Sequence, residues 1–184
     1  LLNQHLKERM ELALLANKDG LWDWNIVDNS TYFSPRWKEI LGYSDDELTN
    51  DYINWENNVH PEDLEKVKPN LENNIEDHIE YFEETYRMKH KDGHWIWVLD
   101  RGKTLFDKDG NVYRMIGTHT DVTKEKEIQL KYTHQSQIIE QIHDSVISTD
   151  MDGFITSWNA GAERLFEYTS DEIIGKNITT VYLE

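Results

Sequence analysis

The sequence has no cysteine, three prolines, 19 basic residues against 36 acidic ones, and no long apolar run. Each shortage excludes something. Without cysteine there are no disulfides, no thiolate nucleophiles and no Cys-ligated zinc or iron–sulfur centres. A formal charge of −17, with no dense Lys/Arg cluster, leaves nothing to neutralise a phosphate backbone, so nucleic acid and anionic membrane are not expected partners. No apolar stretch approaches the ~18 residues of a membrane span, and no charged-then-apolar leader opens the chain. The expected location is therefore cytoplasmic. The chain begins with Leu1 and reads as a cut from a longer protein.

What the sequence does have is aromatic mass: seven Trp, nine Tyr and five Phe. That is enough for a sizeable core, so the acidity belongs to a solvated surface and not to disorder. It also has a repeat. "TYFSPRWKEILGYSDDEL" (Thr31 to Leu48) returns at an offset of 125 as "TSWNAGAERLFEYTSDEI" (Thr156 to Ile173). Identities are few (Thr31/Thr156, Tyr43/Tyr168, Asp46/Asp171, Glu47/Glu172), but the apolar and polar roles match along the stretch. One small piece of architecture is written twice.

Along the chain, Leu2, Leu6, Met10 and Ala13 fall at helical spacing, predicting an amphipathic helix from Leu1 to about Asn17. Alternation in "LWDWNIV" predicts a strand, and Asp28-Asn29-Ser30 turns it toward "TYF". Ser34 caps a short helix with Pro35 at its first position, and Gly42 stops it. "SDDE" (Ser44 to Glu47) and "TSDE" (Thr169 to Glu172) have the capping-box form. His60-Pro61-Glu62-Asp63 starts a further helix, which Pro69 is expected to interrupt or kink. "YFEETYRMKH", "HWIWVLDRGKTLF" and "VYRMIGTHTDV" alternate as three meander strands, with turns at Lys91-Asp92-Gly93 and Lys108-Asp109-Gly110. Asp121 to Thr123 caps a last helix. On it Ile128, Tyr132, Gln135, Ile139, Ile142 and Val146 alternate by four and three, the spacing of a coiled-coil seam.

This order of elements resembles a PAS sensory domain with its C-terminal PAC half, of the Trp-rich bacterial subtype. The residues that carry the likeness are "YFSPRWKEILGYSDDEL", "HPED", "HKDGHWIWV" and "DVT" at Asp121 to Thr123. The resemblance spans residues 1–125, with a linker helix over 124–144 and the first third of another PAS domain over 145–184. It implies an α+β fold: a five-stranded antiparallel sheet of order 2-1-5-4-3 with helices over one face and a small pocket between. Relatives of this kind hold haem, flavin, a small metabolite or nothing in the pocket. They signal through flanking helices to a kinase, cyclase or phosphodiesterase.

The expected function is thus a sensory and relay module of a larger bacterial signalling protein, a histidine kinase or cyclic-di-GMP enzyme, with no catalysis of its own in this segment. The rival is a ligand-free PAS serving dimerisation and spacing. The family register places Trp24, Tyr86, Met88, Val98, Asp100, Met115, Gly117 and His119 on the pocket wall. It makes Asp121, Thr123, Ile128, Tyr132, Ile139 and Ile142 the relay of a homodimer joined through its N-terminal and linker helices.

Other readings of single residues are weaker. His119 matches the position where flavin-binding relatives place a glutamine, so a flavin with His119 at its polar edge is the cofactor alternative to a hydrogen-bonded pocket histidine. The missing cysteine forbids a photoadduct. His60 as a haem ligand has no second haem feature beside it, and the plainer reading is a helix cap. Each of the pairs Trp22/Trp24 and Trp95/Trp97 points to one face of the sheet, which the sequence does not name. A metal-hydrolase site from His60, Asp63, His78, His90 and Asp92 lacks helical ligand spacing. His143 lacks the basic and Pro residues that follow a phosphoacceptor histidine.

Overall fold

A computed structural model describes residues 18–182; the helix expected over 1–17 lies outside the described residues. The alternating aromatics of the first strand, β1 (Gly20–Asn25), place Trp22 and Trp24 on one side. An Asp28–Ser30 turn, in which Asp28 accepts from both the amide and the hydroxyl of Ser30, returns the chain as β2 (Thr31–Phe33). Helix α1 (Pro35–Ile40) starts on Ser34, whose hydroxyl accepts the Trp37 amide, and ends at Gly42, where φ is +82°. Helices α2 (Tyr52–Asn58) and α3 (Pro61–Glu76) follow. The meander is β3 (Tyr81–Lys89), β4 (Trp95–Phe106) and β5 (Val112–Asp121). The sheet order is β2-β1-β5-β4-β3, antiparallel throughout, as expected.

The chain divides into two compact units that meet between Lys126 and Glu127. The first has its core between the sheet and α1 to α3, built from Trp22, Phe33, Trp37, Leu41, Trp55, Tyr86, Met88, Val98 and Met115 among others. Helix α4 (Thr123–Gln141) crosses the division and buries no residue. The second unit has its own core of Ile155, Trp158, Ala162 and Ile173. It consists of a hairpin of β6 (Ile147–Thr149) and β7 (Ile155–Trp158), helices α5 (Ala160–Phe166) and α6 (Ser170–Ile173), and a 3-10 turn from Ile178 to Tyr182.

The repeat is built as well as written. Trp22 pairs with Phe33 in the first unit and Ile147 with Trp158 in the second, each pair shifted by the same 125 positions. Ser34 and Asn159, also 125 apart, both cap the helix that follows. Asn159 does more. Its Oδ1 accepts the amides of Val146 and Ala162, and its Nδ2 donates to the carbonyls of Ile139 and Asp144, so one buried side chain ties the end of α4 to the hairpin and to α5.

Three local expectations change. Ser44 to Glu47 does not start a helix: Glu47 accepts the Ser44 amide but is also ion-paired with Lys91, and the segment stays a turn while Asp51 begins α2. The equivalent Thr169–Glu172 does form a complete capping box. Pro69 does not interrupt α3; Pro69 and Glu65, four residues before it, are both exposed, so the carbonyl that loses its amide partner faces water. Helix α4 ends at Gln141, so Ile142 lies just past it and Val146 four residues further, and neither belongs to a helical seam.

Candidate functional site

Five elements each bring one side chain to the middle of the first unit. The Trp22 indole of β1 lies against two facing glycines of β4 and β5. A Cβ added at Gly117 would sit 2.4 Å from that ring and 2.1 Å from the Arg101 carbonyl oxygen; at Gly102 it would sit 2.7 Å from the ring. Side chains at these positions would push the indole off the sheet. Held there, Trp22 Nε1 donates to Asp100 Oδ1 at 2.7 Å. Tyr86 Oη donates to Asp100 Oδ2 at 2.8 Å and accepts from Trp55 Nε1 at 2.8 Å. His119 Nε2 stands 3.1 Å from Tyr86 Oη and 3.2 Å from Asp100 Oδ2.

All five residues are buried. Tyr86 gives its proton to Asp100, and a carboxylate only accepts, so the histidine nitrogen facing both must carry a hydrogen. Burial, and after it the Asp100 charge, hold the Tyr86 phenol well above its ordinary pKa, so it stays a donor. The result is a closed network around one buried carboxylate, with donors that are two indoles, a phenol and an imidazole.

Beside the network is a cavity of about 40 Å³, lined by Trp22, Trp24, Thr31, Phe33, Tyr52, Trp55 and Leu71 together with Asp23, Asp100 and His119. It has room for about three waters. Sites for cofactor-sized ligands run from roughly 300 Å³. Neither a flavin ring system nor a haem fits the cavity as shaped, and His119, which lines it, has its Nε2 turned to Tyr86 and Asp100.

Of the residues placed on the pocket wall from sequence, Trp24, Asp100 and His119 line the cavity. Tyr86 lies behind Asp100 as its donor. Met88, Val98 and Met115 are fully buried in the core, and Gly117 lies beneath Trp22. The inward register of the meander is therefore Tyr86, Met88, Val98, Asp100, Met115 and His119, with Trp95 exposed on the other face. Both members of the Trp22/Trp24 pair face the cavity. Trp97 is covered on the opposite side by Arg87 and Lys126, 5.6 and 5.8 Å from its ring centre. Sequence reasoning missed Phe33, Tyr52, Trp55 and Leu71. A signal for two of them was present: Tyr52 and Trp55 are three apart on one helix and so share a face.

The relay residues are placed as follows. Asp121 Oδ1 accepts the amide and hydroxyl of Thr123, whose Oγ1 in turn accepts the Trp97 amide of β4 at 2.9 Å, so the start of α4 is fastened to the sheet. Ile128, Tyr132 and Ile139 are exposed on α4, and Ile142 just beyond it is exposed too.

The remaining histidines are scattered. His60 caps α3, its Nδ1 accepting the Glu62 amide, and lies against Trp95. Asp63 is taken by Arg87, and His78 stacks on Phe106. Among the described residues, His90, Asp92 and His94 do place ligand atoms within 4.8 Å of one another. The β3–β4 turn and the stacking of the two rings at 4.3 Å account for that grouping without an ion.

Comparison with known proteins agrees with this architecture. Two family models described as PAS fold match residues 30–119 and 133–184. A solved sensory box histidine kinase/response regulator from Burkholderia thailandensis superimposes with a TM-score of 0.65 at 31% identity, covering 73% of this chain and 99% of that one. The N-terminal domain of a diguanylate cyclase with PAS/PAC sensor from Marinobacter aquaeolei gives 0.54 at 28% identity, covering 59% of this chain and 98% of that one. Among curated proteins, the probable diguanylate cyclase DgcE of Escherichia coli is 26% identical over 97% of this chain, and the sensor protein FixL of Bradyrhizobium diazoefficiens 24% over 90%. The chain spans 16% and 33% of the lengths of those two relatives. By matched models, sheet order and a relative aligned over nearly its whole length, the chain belongs to the PAS-fold family.

Proposed function

We propose that this segment is the sensory and relay part of a larger cytoplasmic bacterial signalling protein, a histidine kinase or a cyclic-di-GMP enzyme, with no catalysis of its own. The domains read as a PAS/PAC sensor over 1–125, a signalling helix over 124–144 and a second PAS region over 145–184. The cavity beside Asp100 takes a small ligand, and β5 carries its effect into α4. One observation supports this above others: His119, a member of the buried network, lies two residues before Asp121 on the same strand, and Asp121 holds the first residue of α4. A shift of the network is a shift of the strand on which the helix is hung.

Hydrogen exchange tests the link. His119→Ala should accelerate exchange at Thr123 and the first-turn amides of α4 while leaving the hairpin amides of β6 and β7 unchanged. Equal protection at the α4 start in both proteins would sink the relay. The smallness of the cavity favours one second reading, a ligand-free PAS that serves as a dimerisation and spacing element. In either reading the exposed Ile128, Tyr132 and Ile139 of α4 face the same residues of a second copy.

A further inference from the structure

We infer that the cavity beside Asp100 is selective for a small organic cation, an alkylated ammonium of about three to five heavy atoms; this rests on reading the cavity as the sensory pocket. Its walls are rings: Trp22, Trp24, Phe33, Tyr52 and Trp55. Neighbouring rings stand at angles to one another, Trp24 to Tyr52 at 35° and 4.9 Å, Tyr52 to Trp55 at 54° and 5.2 Å, so they enclose a space instead of forming one stack. Aromatic faces carry negative charge density and attract ammonium groups that have shed their water.

The charge balance points the same way. Asp100 is buried and lines the cavity; its neighbours in the network are two indoles, a phenol and an imidazole, and among the described residues no Lys or Arg lines the space. Trp22 fills one acceptor site on Oδ1 and Tyr86 one on Oδ2, with His119 Nε2 3.2 Å from Oδ2; a carboxylate offers about four acceptor sites, so one remains on Oδ1 for an ammonium N–H. Asp23, the other acid on the lining, is already ion-paired with Arg114.

Around Tyr52 the balance is again negative. Burial, then the carboxylates of Glu56 and Glu72, push its phenol well above the ordinary range, and the nearby cation is Lys68, 2.7 Å from Glu56. A chain of net charge −17 draws cations toward itself. An anion would meet a carboxylate at close range. A neutral hydrocarbon of equal size would fill the same volume and leave the remaining acceptor site of Asp100 Oδ1 without a donor.

The test is titration calorimetry of the whole 184-residue chain with trimethylammonium chloride and with tert-butanol as the neutral probe of similar size, at matched chloride. Trimethylammonium should bind about tenfold more tightly. Asp100→Asn should abolish that preference. Should Asp100→Asn fail to fold, Tyr52→Leu should weaken the cation several-fold and spare tert-butanol, whereas Tyr52→Phe, which keeps the ring, should bind as the parent does. Equal affinity for the two probes overturns cation selectivity and leaves a sensory cavity standing. No binding of either at millimolar concentration overturns the inference. Cation binding that leaves α4 amide exchange unchanged upholds it and instead removes the relay proposed above.

Discussion

Trp22 shows how much one position can depend on what is absent beneath it. Gly117→Ala places a methyl group where the indole and the Arg101 carbonyl already are, so the ring must leave and Asp100 loses its Oδ1 donor. A loss of about 2–4 kcal/mol is expected from overpacking plus an unsatisfied buried carboxylate, checked by urea unfolding. The second residue-scale prediction concerns Arg87, whose guanidinium and amide hold Asp63 and keep its carboxyl below the ordinary range. A lowered folded-state pKa adds stability that is complete above the unfolded value and fades as pH falls through the folded one. Arg87→Met should therefore cost about 1–2 kcal/mol at neutral pH, with the difference from the parent shrinking below about pH 4. A pH-independent difference would show that Arg87 stabilises by packing on Trp97 alone. From sequence, the inward residues of the meander were legible because alternation and the turn glycines fix the register. Phe33 and Leu71 were not, because nothing local tells a helix or edge-strand residue which part of the core it will reach.

At the scale of elements, the joint between sheet and helix is the part most open to test. Thr123→Val keeps the side-chain shape while removing the acceptor for the Trp97 amide and the donor to Asp121. It should cost about 1 kcal/mol and lower the helical circular dichroism signal as the first turn frays. Along α4 the absence of native cysteine makes single introduced cysteines clean probes. Cysteines at Ile128, Tyr132 and Ile139 should cross-link between chains much faster than cysteines at Lys131 or Glu140, and equal rates at all five would exclude a parallel seam. Two helix starts were readable because Ser34 and His60 cap with local atoms, whereas the fates of Pro69 and of Ser44–Glu47 depended on solvent and on Lys91, which lies far along the chain. The seam was read five residues past the end of the helix, from Gln141 to Val146, since spacing alone does not say where a helix stops.

For the whole molecule, the two cores share no residue, one lying within 22–115 and the other within 155–173. Calorimetry should resolve two unfolding transitions, and a chain ending at Lys126 should retain the first of them; a single cooperative transition lost on truncation would show the units to be interdependent. The repeat that announced this division was legible from 31 onward because strand pairing and caps recur at one offset. The closed network at the centre was not, since it joins five residues whose meeting is decided by topology. Asn159 carries a last consequence. Its side chain must accept two amides and donate to two carbonyls at once, and aspartate lacks the donors, serine the reach, and glutamine the fit. A library randomised at that codon and selected for signalling should return one amino acid, so the place where the end of α4 is fastened to the hairpin and to α5 would be identifiable by its intolerance alone.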